Sequence, residues 1–299
     1  MIQVNNVTKR FGDFVALDDL NMHVETGAVY GLVGPNGAGK STIIRHLCGV
    51  YKADSGSVKI HGQEVYENEK LKQRLAVIPD DIFYFTQANT LDMMKYYQRM
   101  YPKFDQDLFF KIADCFSAIN MKKMVRTLSK GMQKQVAFML SIASRPDVMI
   151  LDEPVDGLDP VMRRQIWSLL MSDVAETGLT VLVSSHNLRE LEDVCDHVGI
   201  MNNGKILLER SLDDLQTSIT KIQVAFEGEM PALPPEVEVL RKISSGRVHT
   251  LIVKGAPGEA EARIGAMHPM LMDVLPLTLE EIFIYELGGE NYAVKDIIF

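Results

Sequence analysis

The sequence predicts an α/β fold, with a parallel β-sheet, an antiparallel β edge, an inserted helical subdomain and a small C-terminal α+β domain. Three observations support this prediction. Continuous apolar runs at residues 148–151 (VMIL) and 180–183 (TVLV) are typical of strands buried on both faces of a parallel sheet. Apolar residues recur at helical spacing from about residue 86 to residue 124. After residue 215 the pattern alternates, as in the strands of a half-buried sheet.

The first predicted domain spans residues 1–215. Residues 2–7 and 14–24 mix short alternating apolar runs with turns, which predicts the β-rich edge. Pro102 interrupts the helical series, so the helical subdomain at about residues 86–147 should contain at least two helices. Further strands are predicted at residues 28–33, 57–61, 75–78, 148–151 and 180–183, and a further helix at residues 161–174.

The second predicted domain spans residues 216–299 and is an accessory α+β domain. A proline-rich connector at residues 231–235 separates two of its strands. Its strands are predicted at residues 221–226, 237–243 and 248–253, and its helices near residues 259–267 and 278–287.

The composition and net charge of the chain limit the classes of function that are possible. A net charge of −9 over 299 residues argues against a nucleic-acid-binding face, which needs a basic excess. No window holds the roughly eighteen uninterrupted apolar residues of a membrane span, and the N-terminus lacks an apolar export segment. We therefore expect a cytoplasmic protein. Its three scattered cysteines predict reduced, buried thiols.

Residues 34–42 read GPNGAGKST and fill the phosphate-binding pattern G-x-x-x-x-G-K-[ST]. A chance match is disfavoured, because a predicted strand precedes this phosphate loop and a predicted helix follows it. Such a turn aims backbone N–H groups at an anion. The loop thus predicts a P-loop NTPase core that binds ATP, with Lys40 reaching the β- and γ-phosphates and Ser41 ligating Mg²⁺. The other loop residues expected to bind ATP are Gly34, Asn36, Gly37, Ala38, Gly39 and Thr42.

Two carboxylates follow the apolar strand at residues 148–151. Asp152 and Glu153 should lie at the carboxyl edge of the sheet, where such folds bind ligands. Asp152 is expected to hold Mg²⁺, and Glu153 to polarise the water that attacks the γ-phosphate. His186 follows the next strand and is a second catalytic candidate. The alternatives are a solvated turn for the acids and a structural histidine.

Taken in order, these segments resemble the nucleotide-binding subunit of ATP-binding-cassette (ABC) transporters, of the exporter type with a C-terminal extension. The family uses the LSKGMQ segment to close the partner's ATP site, which separates it from other phosphate-loop ATPases and kinases. The resemblance covers about residues 1–215. It is carried by GPNGAGKST (34–42), LSKGMQ (128–133), VMILDEP (148–154), GLDP (157–160) and the histidine of SSHNL (184–188).

The resemblance implies an ATPase that powers a membrane exporter. Two copies, or this chain and a related one, would sandwich ATP between the phosphate loop of one and Ser129, Lys130 and Gly131 of the other. Phe11 would stack on adenine, and Asp159 would communicate across the dimer. Separate transmembrane permease subunits would hold the chain peripherally on the inner face of the cell membrane. The C-terminal domain would support the dimer, regulate it or brace the core.

The sequence departs from the family pattern at two places. Lys130 and Met132 stand where the family usually has glycine and glutamine. After the strand at residues 75–78 the family normally has Pro-Gln, whose amide touches Mg²⁺, and this chain has Asp80 at the matching position. Asp80 is therefore a candidate metal ligand, and it puts the details of metal coordination in doubt.

Two other functions are compatible with a phosphate loop. The first is a soluble ABC-type ATPase that acts on the ribosome or on DNA. Ribosome-acting relatives usually carry two such domains, and DNA-repair relatives need a long coiled-coil insertion that the roughly 90 residues between the phosphate loop and LSKGMQ cannot supply. The second alternative is a non-hydrolysing nucleotide sensor. It is disfavoured because Lys40, Asp152, Glu153 and His186 are all present.

Overall fold

The computed structural model describes residues 1–287, which divide into two compact units. The first comprises Met1–Asn187 and Val194–Glu209, and the second comprises Leu188–Asp193 and the residues from Arg210 onward. The short segment at Leu188–Asp193 thus belongs with the second unit although it precedes the end of the first. The boundary at residue 215 stays a prediction, and the end of the accessory domain beyond residue 287 lies outside the described residues.

The first unit carries most of the secondary structure. Its strands are β1 (Ile2–Phe11), β2 (Phe14–Val24), β3 (Val29–Val33), β4 (Ser55–Ile60), β5 (Gln63–Glu64), β6 (Leu75–Ile78), β7 (Val148–Asp152), β8 (Thr180–Ser185), β9 (His197–Asn202) and the greater part of β10 (Lys205–Ser211). Its helices are α1 (Lys40–Leu47), α2 (Glu69–Lys72), α3 (Thr90–Met100), α4 (Gln106–Cys115), α5 (Lys130–Ala143) and α6 (Pro160–Thr177), with a 3₁₀ turn at Val125–Thr127.

The central sheet has the strand order β10-β9-β3-β8-β7-β6. Four neighbouring pairs are parallel, namely β9 with β3, β3 with β8, β8 with β7 and β7 with β6. Every residue of β3, β7 and β8 is buried, as their continuous apolar runs predicted. The phosphate loop, Glu153 and His186 follow the carboxyl ends of β3, β7 and β8, so the topology brings them to one edge of the sheet.

The antiparallel part forms a sheet of its own, with the order β2-β1-β4-β5. It was predicted as an edge, and the structure shows four separate strands that share one apolar core with the central sheet. Ile2, Val4 and Leu17 of this sheet pack in the same cluster as Tyr30 and Leu32 of β3. The antiparallel sheet is thereby held beside the phosphate loop.

The helical subdomain lies between β6 and β7 and contains α3, α4 and α5. Asn89 and Asp92 form a capping box at the start of α3. The chain leaves α3 before Pro102, as predicted. The methionine and aromatic pattern is largely core packing, since its buried members are Met93, Met94, Phe109, Ile112 and Phe116.

The second unit is a small α+β unit. It contains helices α7 (Arg189–Glu192), α8 (Leu212–Ser218), α9 (Pro257–Gly265) and α10 (Leu279–Leu287) and strands β11 (Ile219–Ala225), β12 (Val239–Ser245), β13 (Val248–Lys254) and β14 (Leu271–Leu275). The antiparallel order is β12-β13-β11-β14, and Ala260 and Ile264 of α9 share a core with Ile222 and Leu251. The sequence did not predict β14.

Candidate functional site

The phosphate loop joins β3 to α1 in a conformation that only glycine adopts easily. Gly37 and Gly39 have φ of 84° and 110°. A Cβ atom at Gly39 would also lie 2.8 Å from the Ala16 carbonyl oxygen. Gly39 is the N-cap of α1 and makes no side-chain cap hydrogen bond. The start of α1 is thus a helix N-terminus whose dipole favours an anion.

Lys40 is the first residue of α1, and its side chain folds back over the loop. Its Nζ donates a hydrogen bond to the Gly34 carbonyl oxygen at 2.6 Å. Burial lowers the pKa of Lys40, and the nearby carboxylates of Glu153 and Asp152 oppose that shift. A phosphate group would give the ammonium a charged acceptor in place of a neutral carbonyl.

Asp152 ends β7 and is buried. It pairs in register with Ser184 of β8, whose hydroxyl donates a short hydrogen bond to the Asp152 Oδ1 atom. One carboxylate oxygen is therefore fixed by the neighbouring strand. This arrangement orients a carboxylate at the carboxyl edge of the sheet, where the sequence predicted it.

Glu153 follows with φ of 47°, a left-handed backbone conformation that is uncommon for a residue other than glycine. Such a conformation costs about 1–3 kcal/mol and clusters at active sites. Its Oε2 atom lies 3.0 Å from His186 Nδ1, and its Oε1 atom lies 3.9 Å from Lys40 Nζ. Burial raises the pKa of Glu153, whereas His186 and Lys40 oppose the rise. The structure thus brings together the three side chains that the sequence placed on separate elements.

A cavity of about 310 Å³ opens in front of these groups. Its lining contains acidic, aromatic and loop residues, and it includes Asp80, which the sequence had assigned to the metal site. The residues that line it are Phe14, Ala16, Pro35, Asn36, Gly37, Ala38, Gly39, Lys40, Ser41, Thr42, Asp80, Asp152 and Glu153.

The donor set of this phosphate-loop cavity fits a magnesium ion that arrives with a phosphate ligand. Ser41, Asp80 and Asp152 offer hydroxyl and carboxylate oxygens, the hard ligands that Mg²⁺ prefers. Among residues 1–287 no three His, Cys, Asp or Glu side chains are grouped closely enough to hold a metal by themselves. Mg²⁺ sites of nucleotide enzymes use one or two carboxylates together with substrate phosphates.

The LSKGMQ segment lies at the start of α5 and faces a different cavity. Ser129 is the N-cap of α5, and its Oγ accepts a hydrogen bond from the Met132 N–H at 3.2 Å. Lys130 and Gly131 line this second cavity, of about 370 Å³, together with Asp80, Asp81, Ile82, Gln133, Lys134, Asp156 and Gly157. Asp80 is therefore shared between the two cavities, while the LSKGMQ residues do not line the phosphate-loop cavity of their own chain.

Two family models match the chain, and a relative that is similar over nearly its whole length decides which family it belongs to. A family model described as ABC transporter matches residues 17–156, and a second, described as AAA domain, putative AbiEii toxin, Type IV TA system, matches residues 124–192. The ABC transporter ATP-binding protein YtrB of Bacillus subtilis (strain 168) is 31% identical over 294 residues, which cover 97% of this chain and 99% of YtrB. The chain belongs to the ABC transporter family of ATP-binding proteins.

Two further comparisons define how far the similarity to other ABC proteins reaches. The bacitracin transport ATP-binding protein BcrA of Bacillus licheniformis is 31% identical over 218 residues, 72% of this chain and 71% of BcrA. A solved structure of the ATP binding subunit of an ABC transporter matches with a TM-score of 0.67 at 24% identity, covering 72% of this chain and 92% of that one. The predicted P-loop NTPase fold is confirmed, and the chain is an ATP-binding ABC ATPase. Its similarity to YtrB extends past residue 215.

The structure places the adenine candidate of this ABC ATPase outside the cavity lining. Phe11 is 44% exposed and packs edge-on against Tyr51, with ring centroids 5.5 Å apart. Phe14 is 64% exposed, pairs with Phe11 across the β1–β2 turn and lines the phosphate-loop cavity. The assignment of adenine stacking to Phe11 stays a prediction, and Phe14 is an aromatic residue of the cavity lining that the sequence motifs did not indicate.

Three other residues that help to hold the site in place were not predicted from the sequence. Ser184 orients Asp152, Lys134 contacts the backbone of Glu153, and the Tyr84 hydroxyl donates to the Gln133 carbonyl oxygen at 2.6 Å. Ser184 is the one with a sequence signal, since it directly follows the predicted strand at residues 180–183. Asp159, predicted to act across the ABC dimer, is the N-cap of α6 in the described chain.

Proposed function

We propose that this chain hydrolyses ATP to power a multi-subunit membrane exporter, with Glu153 as the general base. The position of the Glu153 carboxylate, between His186 Nδ1 at 3.0 Å and Lys40 Nζ at 3.9 Å, supports this proposal. A base in hydrogen-bond reach of an orienting histidine, beside the lysine of a phosphate loop, is placed to accept a proton from a water that attacks the γ-phosphate. His186 orients the carboxylate, and its Nε2 atom remains available to the substrate.

The remaining residues bind and orient the nucleotide. The backbone N–H groups of the phosphate loop would hold the phosphates, and Lys40 would exchange the Gly34 carbonyl oxygen for the β- and γ-phosphates. Ser41, Asp152 and Asp80 would hold Mg²⁺, which when bound neutralises charge on the phosphate oxygens. The aromatic ring of Phe11, with Phe14 beside it, would contact the adenine.

A dimer would complete each site. Ser129, Lys130 and Gly131 do not line the phosphate-loop cavity of their own chain, so they are free to close the cavity of a second chain. The Gly131 amide and the Ser129 hydroxyl at the start of α5, with the Lys130 ammonium, would receive the γ-phosphate from the partner. The second chain would be another copy or a related ATPase subunit, and Asp159 would communicate between the two sites.

Separate transmembrane permease subunits are the proposed partners. None of the helices in residues 1–287 is long and apolar enough to cross a membrane. Four aromatic residues of the helical subdomain and the loop before it are exposed, with Phe83 at 80%, Phe85 at 48%, and Tyr96 and Phe110 each at 41%. An exposed aromatic group of this kind suits a protein partner, and the net charge of −9 disfavours nucleic acid. Through these permease subunits the chain would act at the inner face of the cell membrane.

The test replaces Glu153 with glutamine, which keeps the side-chain shape and removes the base. Glu153→Gln should bind ATP with unchanged affinity, hydrolyse it more slowly by a factor on the order of 10² or more, and accumulate as an ATP-bound dimer on size exclusion. Glu176→Gln on α6, an exposed glutamate, is the matched control. Near-normal turnover of Glu153→Gln would contradict the assignment.

The exporter role is tested with the tagged chain in detergent-solubilised membranes. We expect copurification with a polytopic membrane protein in a stoichiometric complex. Recovery with ribosomes or DNA instead would favour the soluble alternative.

A further inference from the structure

Lys134 is a lysine of α5 whose side chain is buried, with 7% of its surface exposed. Its Nζ donates two hydrogen bonds of 2.9 Å each, one to the Glu153 carbonyl oxygen and one to the Asp156 carbonyl oxygen. A buried ammonium must find acceptors, and these two carbonyls come from the turn that carries the proposed base. The lysine therefore links α5 to the backbone on both sides of residues 154 and 155.

Besides the Lys134 contacts, few backbone hydrogen bonds hold residues 153–156, the turn that Lys134 contacts. Glu153 donates its N–H to the Ser184 carbonyl oxygen at 3.1 Å and then leaves the β7 ladder with φ of 47°. The Asp156 N–H reaches the Glu153 carbonyl oxygen only at 3.4 Å. A left-handed residue persists only where the surrounding structure holds it. The Lys134 ammonium supplies such a contact at the carbonyl group of that residue.

The same helix carries the residues proposed to receive the partner's γ-phosphate. Lys134 lies one helical turn after Lys130, and Gly131 lies on the turn between them. A Cβ atom at Gly131 would lie 3.2 Å from Leu158 Cδ2, so the start of α5 packs closely against the segment that follows Glu153. A displacement of this end of α5 would therefore move the acceptor contacts of Lys134 as well.

We propose that Lys134 is a positioning residue that ties the placement of Glu153 to the position of the LSKGMQ helix of the same chain. Closure of LSKGMQ on the partner's nucleotide is thereby transmitted to the base of the chain's own ATP site. This inference rests on the proposed function, since it assumes that Glu153 is the base. A lysine that only filled the core would stabilise the protein without acting through Glu153.

The experiment is a double-mutant cycle on the full-length chain with Lys134→Met, Glu153→Gln and the double variant. Lys134→Met should lower kcat by about 10- to 100-fold, the loss expected from a misplaced catalytic group. It should leave the ATP dissociation constant within about threefold of the unaltered protein, since kcat and binding separate for a transition-state effect. Lys134→Arg, which keeps the charge and the donors, should recover most of the turnover. Lys111→Met on α4 is the matched control at an exposed lysine.

The cycle separates positioning from a structural role. If Lys134 acts through Glu153, adding Lys134→Met to Glu153→Gln should change the residual turnover by less than about twofold, because residues that act as a unit are not additive. Independent, multiplying losses would overturn the proposal, and so would a loss confined to ATP affinity. Should Lys134→Met fail to fold by circular dichroism, Lys134→Gln replaces it under the same criteria.

Failure of the proposed function gives a different result. An unaltered protein that does not hydrolyse ATP, or a Glu153→Gln variant with normal turnover, refutes the assignment of the base itself. Normal hydrolysis with a slow Glu153→Gln variant and an unimpaired Lys134→Met variant refutes only the positioning role.

Discussion

Asp159 gives a prediction whose size follows from the structure. Its Oδ1 atom accepts hydrogen bonds from the N–H groups of Val161 and Met162, each 3.0 Å long, at the start of the 18-residue helix α6. Loss of an aspartate N-cap costs about 0.5–2 kcal/mol, and the favourable charge at the helix N-terminus contributes about 0.3–1 kcal/mol. Because the two effects overlap, we expect Asp159→Ala to lower the free energy of unfolding by about 1–2 kcal/mol.

That loss is measurable as a melting temperature. For a unit of about two hundred residues each kcal/mol shifts Tm by about 2–4 °C, so Tm of Asp159→Ala should fall by about 2–8 °C. Asp159→Asn keeps an equally good cap and loses only the charge contribution, so its Tm should fall by no more than about 1–4 °C in thermal unfolding followed by circular dichroism. The asparagine variant therefore isolates the proposed role across the dimer, which should appear as reduced cooperativity of ATP hydrolysis. An unchanged Tm of Asp159→Ala, or an equal fall for both variants, would refute this reasoning.

Three further predictions concern the ATP site. Because burial raises the pKa of Glu153 and the base must be ionised, ATP turnover should fall as the pH decreases, and this fall should lie above pH 4.5, the ordinary pKa of glutamate. The residual turnover of Glu153→Gln should lack this pH dependence. Phe11→Ala should weaken ATP binding by about 5- to 150-fold, from a stacking energy of about 1–3 kcal/mol; calorimetry that finds this loss only in Phe14→Ala would move the adenine to Phe14. ATP affinity should depend more strongly on Mg²⁺ in the unaltered protein than in Asp80→Gln, since a carboxylate beside phosphates opposes binding without metal; equal dependence in a Mg²⁺ titration would assign Asp80 to a solvated turn.

The sequence was informative wherever a local pattern determines the structure. The phosphate loop could be read because a glycine-rich turn between a strand and a helix has one conformation and one favoured ligand. Asp152, Glu153 and His186 could be placed at one edge, because the carboxyl ends of parallel strands meet there. These predictions needed no knowledge of how distant segments pack.

The remaining features depend on contacts between distant segments. Strand β9 was not predicted, and Gly199 interrupts its apolar run. A Cβ atom at that position would lie 2.0 Å from Tyr30 Oη, so the glycine makes room for a side chain far away in the sequence. The sequence does not distinguish Lys134 from an exposed polar residue of a helix. Only the tertiary structure shows that it is buried against two carbonyl groups. Phe14 equally becomes an adenine candidate only when the cavity is known.

Because Glu153 has a left-handed backbone, selection for activity and selection for stability favour different residues at this position. Glycine adopts φ of 47° without strain, and asparagine is tolerated there far better than glutamate. Replacement by either residue would relieve the backbone and abolish the proposed base, so inactive descendants of this chain should fold at least as well as the active one. A laboratory screen that rewards expression or heat resistance alone would therefore drift away from glutamate at this position. Only a screen that requires turnover would retain it.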